Sequence, residues 1–293
     1  MTFSLPHEIG NVELVAHGRE ATAISGSAGL VLRGRLYAAS DDAARIGLRV
    51  QNALLLAGAE TRIGVDVGRL APRDVGHLTK FGREYFAKSL GLPDEAQLLE
   101  DRFGLTVFED TGRQVFFGIG PVRMGIGVPV QRFTEAVQAA CERAATLGPK
   151  HLLALELFSA ARFESSLRAR FIALITVLET LAIREPKGGE ARAFIAACQE
   201  RLASSGLPKA EVGQMRSGLR ELEQRSISAS CRELVGKYGD TEAVRLFSAC
   251  YRARGELLHA GRTAFDVPSQ IEALEILVST VLVSYREVEQ PLR

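Results

Sequence analysis

From Gln131 to the C-terminus, apolar residues recur at helical spacing and no convincing strand interrupts them. Phe133, Val137, Ala140 and Ala144 open the pattern. Helices are predicted over about 151–163, 165–184, 191–204, 209–224, 228–238, 241–259 and 269–289. A helix with one apolar face must bury that face against a neighbour. About 160 residues of this kind therefore predict an all-α bundle over 131–293. Its last helix carries Ile271, Leu274, Val278, Val281, Tyr285 and Val288 at alternating spacings of three and four. That is a heptad-like seam, suited either to the bundle's own core or to a dimer.

The preceding residues read differently. Glu13–Ala16 and Leu30–Tyr37 are predicted strands, with Gly26 and Gly29 in the turn between them. Ser40-Asp41-Asp42 predicts a helix start, because a hydroxyl and carboxylates satisfy free N–H groups there. That helix is expected to run to Ala57 and stop at Gly58. Thr61–Val67 reads as a short strand and Asp74–Leu90 as a helix. Leu105–Glu109 and Val115–Ile119 read as a hairpin across Asp110-Thr111-Gly112. The expected fold class is α+β: a small mixed α/β domain of unknown role over 1–130, then the all-α bundle over 131–293.

Composition narrows the function classes. Of 293 residues, 36 are Lys or Arg and 35 Asp or Glu, a net charge of +1. Nucleic acid is then not held by bulk charge, only by a local basic site. No apolar run reaches the length of a membrane span, and the N-terminus does not read as a signal peptide. The four cysteines (Cys141, Cys198, Cys231, Cys250) are scattered through helices, as expected of small buried residues in a reducing cytoplasm. The five histidines show no ligand spacing, so neither a metal nor a cofactor is expected. Gly118-Ile-Gly120-Pro-Val-Arg123 lacks the third glycine and the following helix of a dinucleotide loop.

Two places carry chemistry. Glu179 lies in an apolar helical stretch, Phe171–Ala182, so its carboxylate is expected to be partly buried and paired with an arginine or a helix end. It is either a buried ion pair fixing helix register or part of an active site. The second place is Cys250-Tyr-Arg252-Ala-Arg254-Gly-Glu-Leu-Leu-His259-Ala-Gly261-Arg262, the end of a helix. A guanidinium grips phosphate with two parallel hydrogen bonds, and an imidazole moves protons near neutrality. Together they can cleave a phosphodiester without a metal. A histidine in the last turn of a helix is also favoured by the helix dipole alone. Arg254 and His259 fall about 140° apart on an ideal helix, whereas Arg252 and His259 fall within about 20°. Either the helix distorts at Gly255, or Arg254 swings round, or Arg252 is the partner.

An arginine, four to six residues and a histidine at the end of a late helix resembles the HEPN signature. The flanking stretches resemble the Apea-like HEPN group: Leu155–Glu164, Ala169–Leu181, Gln224–Ser228, Leu246–Arg252 and Leu258–Gly261. The resemblance covers about residues 150–290. It implies a four- or five-helix core and a homodimer formed around the Arg/His helix. It also implies a metal-independent ribonuclease or RNA-binding protein, of the kind found in phage defence and toxin–antitoxin systems. On that resemblance Arg254 and His259 are the catalytic pair, with Glu179 and Arg252 as accessory residues. The residue after the arginine is commonly polar in the family and is Gly255 here. The alternative is a non-catalytic dimerising or nucleotide-binding module, with the N-terminal domain sensing a ligand or a protein partner.

Overall fold

The computed structural model describes residues 2–4, 11–16, 30–35, 37–68, 91, 97–100, 105–107, 115–118, 130–144 and 147–286. The chain forms two compact units, Met1–Phe163 and Glu164–Arg293. The predicted helix over 74–90 and the glycine-rich run 119–127 lie outside the described residues.

In the first unit, β1 (Thr2–Ser4), β2 (Asn11–Ala16) and β3 (Leu30–Gly34) form an antiparallel sheet in that order. Thr2 pairs with Glu13, and Ala16 with Leu30. The long helix α1 (Ser40–Thr61) follows. β4 (Gln97–Glu100) and β5 (Val115–Gly118) are parallel partners. The unit ends in α2 (Val130–Arg143) and α3 (Pro149–Phe163).

The expected mixed α/β N-terminal domain needs correcting: the described residues are mostly helical and build no distinct domain of that kind. The reason lies in α1. It buries Ile46, Val50, Ala53, Leu55, Leu56, Ala57 and Ala59, residues that cover more than one face. Such a helix needs cover from two sides. It obtains this from α2 and α3, both of which pack on it. These are the two helices that the sequence pattern joins to the bundle, so the units divide at Phe163/Glu164 and not at 130/131.

Three local expectations also change. α1 runs through Gly58 and ends at Arg62, which adopts the left-handed conformation at φ 58°. The Ile63 N–H bonds the Gly58 carbonyl at 2.8 Å and the Arg62 N–H bonds that of Ala59 at 3.3 Å. This is a Schellman ending with arginine where glycine is usual. Gly58 serves packing instead: a Cβ there would lie 2.7 Å from Val65 Cγ2 and 3.0 Å from the Ile63 carbonyl. Residues 63–67 form no strand and, among the described residues, pair with none. The Ser159 hydroxyl both donates to the Val65 carbonyl and accepts from the Val65 N–H, at 2.6 Å each, and Gln51 Nε2 donates to the Val67 carbonyl at 2.9 Å. Finally, β5 pairs with β4 and not with residues 105–107, where the Leu105 side chain presses on Gly47 of α1.

The second unit is a helical bundle. It contains α4 (Leu167–Leu181), α5 (Gly189–Ala203), α6 (Lys209–Leu222), α7 (Ile227–Tyr238), α8 (Thr241–Ala260) and α9 (Val267–Ser284). The starts are locally encoded: Ser166, Ser226, Asp240 and Asp266 each accept a backbone N–H three residues on. α4 is central. It buries Phe171, Leu174, Ile175, Val177, Leu178 and Leu181 and packs against α7, α8 and α9. α5 and α6 form a hairpin that packs chiefly on itself. On α9, the seam residues Leu274, Val278, Val281 and Tyr285 are buried within the unit. α9 is also long and apolar enough to cross a membrane, with a mean hydropathy of 1.3, which the sequence reading discounts. A bundle's core helix meets the same criterion.

Candidate functional site

The Arg/His segment occupies the second half of α8. Asp240 caps the start of this helix and Gly261, at φ 67°, ends it. The helix is continuous through Gly255, so no distortion brings Arg254 round to His259. The two side chains leave on different sides, as ideal helix geometry requires.

Arg254 points toward α4. Its Nη2 donates to Glu179 Oε2 at 3.0 Å, and the two side chains retain only 23% and 16% of their exposure. Tyr251, one turn earlier, completes the cluster. Its ring lies 5.8 Å from the Arg254 guanidinium carbon, and Glu179 acts on its hydroxyl. Burial first, then the charge and hydrogen bond of Glu179, push the Tyr251 phenol above its ordinary value, with Arg254 partly opposing. Cys231 of α7 lies within reach of the same charges. Burial pushes its thiol up to about 12, helped by Glu179 and opposed by Arg254 and Arg232. Such a thiol is not a nucleophile at neutral pH. This cluster ties α4, α7 and α8 together.

His259 lies on the opposite flank, exposed in the last turn of α8. Arg252 is also exposed, two turns earlier on the same face. Among the described residues neither makes a hydrogen bond or ion pair, and the same holds for Arg262 just beyond Gly261. Two other charges share the outward face. Arg245 pairs with Glu242 at 2.5 Å, and Glu256 accepts from the Thr263 hydroxyl at 2.5 Å. Val244, Arg245, Ser248, Ala249 and Arg252 line a shallow depression there.

The four residues singled out by sequence thus fall into two groups. Arg254 and Glu179 meet inside the bundle, while Arg252 and His259 share the outward face. Sequence reasoning missed Tyr251, whose position three residues before Arg254 on one helix was the available signal. It also missed the buried pair of Arg170 on α4 with Glu275 on α9. Among the described residues no group of His, Cys, Asp or Glu is placed to hold a metal. The cysteines are all free: Cys141, Cys231 and Cys250 are buried, and Cys198 is partly exposed. No family model, curated protein or solved structure matches the chain.

Proposed function

We propose that this protein binds RNA along α8 and cleaves it without a metal ion, as a ribonuclease of the HEPN type. The observation that carries the reading is the exposed imidazole of His259 at the end of α8, with a solvent-facing arginine on the same side of the helix. An imidazole there takes the proton from a ribose 2′-hydroxyl. The freed oxygen attacks the adjacent phosphorus, the 5′-oxygen leaves and takes up a proton, and a 2′,3′-cyclic phosphate remains. An arginine on the same face of the helix grips a neighbouring phosphate and holds the strand in place for the attack. A homodimer with two α8 helices facing each other supplies a second imidazole for the acid step. Phage defence or a toxin–antitoxin pair is the setting such an activity suits.

The test is RNA degradation in the presence of EDTA, comparing the protein with His259→Ala. Loss of a general acid–base group lowers the rate by roughly 10²–10⁴-fold. An unchanged rate in His259→Ala would remove His259 from the mechanism.

One observation favours a second reading. The Arg254 guanidinium is engaged by Glu179, so the arginine of the signature acts as a strut between helices. The chain is then a non-catalytic dimerising or nucleotide-binding module with a sensing N-terminal unit. Absence of RNA turnover together with nucleotide binding would select it.

A further inference from the structure

We infer, resting on the RNA reading above, that Arg252 and Arg262, and not Arg254, take the phosphates of a single-stranded RNA running along the outward face of α8 past His259.

An uninterrupted helix places Arg254 about 140° from His259, and its guanidinium is turned into the bundle and charge-paired with Glu179. Reaching a phosphate beside His259 would require breaking that pair and leaving a largely buried carboxylate uncompensated, which strongly disfavours it.

Arg252 is exposed and, among the described residues, uncommitted. Helical side chains lean toward the N-terminus, and Arg252 lines one depression with Ser248 and Ala249, three and four residues before it. Those small residues leave the shallow depression that Val244 and Arg245 also line. Arg245 is less available, because Glu242 holds it. On the far side of His259, Arg262 follows the left-handed Gly261 and is likewise exposed and uncommitted.

Seven residues raise His259 about 10.5 Å along the axis from Arg252. The two side chains therefore touch different positions along a strand, and Arg252 anchors a phosphate that is not the one attacked. Glu256 stands between them on the same face with its carboxylate held by Thr263. It repels a phosphate placed over it, so the strand's charges must fall to either side, where the two arginines are. A duplex presents no such freedom to shift its phosphates, whereas a single strand does.

The experiment is fluorescence anisotropy with a short labelled single-stranded 2′-O-methyl RNA, which lacks the attacking hydroxyl, the full-length chain and a salt series. Arg252→Gln and Arg262→Gln should each weaken binding by about five- to tenfold and reduce the slope of log affinity against log salt by about 0.7. The paired replacement Glu179→Leu/Arg254→Met removes both charges at once, which buried ion pairs tolerate. It should bind within about twofold of the parent with an unchanged slope. Unfolding curves on every variant separate lost contacts from lost fold. Unaltered binding by Arg252→Gln and Arg262→Gln overturns the inference, as does loss of binding in a folded Glu179→Leu/Arg254→Met. Either result leaves the RNA reading standing. A parent protein that binds no RNA overturns both.

Discussion

Different kinds of link between distant residues stand out in the two units. In the first, side chains reach across to backbone groups far away in the chain. Arg49 donates to the Cys141 carbonyl at 2.9 Å, Gln51 to that of Val67, and Ser159 bonds both polar groups of Val65. In the second, the links between core helices are charge pairs, Arg254 with Glu179 and Arg170 with Glu275. Backbone that belongs to no helix or sheet, like residues 63–67, has N–H and C=O groups that must find side-chain partners. Helices satisfy their own backbone, so what remains to specify is how one helix sits against the next. Paired side chains can do that.

The sharpest way to break this comparison is to remove one half of a buried pair. Glu275 keeps 8% of its side-chain exposure and Arg170 keeps 19%. Glu275→Ala leaves a buried guanidinium alone and should cost about 3–4 kcal/mol. Glu275→Leu with Arg170→Met should return most of that, since apolar replacements of similar volume are often neutral or better. Urea unfolding at constant slope reads both. If the double variant is as unstable as the single one, the pair is more than a register device.

The matching change in the first unit is Ser159→Ala. It strips Val65 of both partners at once. Residue 159 itself keeps only 3% of its exposure, so water does not simply take over. Leaving a buried polar group unmade costs about 1–3 kcal/mol. The expected loss is therefore about 2 kcal/mol, smaller than for the charge and concentrated in residues 63–67. Hydrogen exchange at Val65 should speed up before the helical amides do. Uniform acceleration across α1 would mean the segment is not an independently opening strap.

These contrasts also mark what the sequence makes legible. The bundle's helices begin and end within a few residues of where their pattern places them, because Ser166, Ser226, Asp240, Asp266 and Gly261 act on backbone groups only a few residues away. Distant contacts leave no such trace. Gly58 has the look of a helix stop, yet its role is fixed by Val65 and Ile63 crossing close above it. The parallel pairing of β4 with β5, and the packing of α2 and α3 on α1, are likewise choices between segments far apart in the chain. At the candidate site, helix geometry alone separates Arg254 from His259. That Arg254 turns inward depends on Glu179, 75 residues earlier, and no spacing within α8 reveals it.

The smallest expected effect tests the same division between local and distant causes at the end of α1. Arg62 sits at φ 58°, where a Cβ meets the following carbonyl and costs roughly 1–2 kcal/mol. Glycine avoids that clash but loses more backbone freedom on folding, roughly 0.5–1 kcal/mol. Arg62→Gly should therefore stabilise the protein by about 0–1.5 kcal/mol, read as a small rise in the urea midpoint. The Schellman bonds to Gly58 and Ala59 do not involve the side chain and should survive. A loss of stability instead would show that the arginine side chain holds residues 63–67 in place. The strap would then be fixed from its first residue as well as by Ser159 and Gln51, and the helix would end there because of the strap rather than because of its own cap.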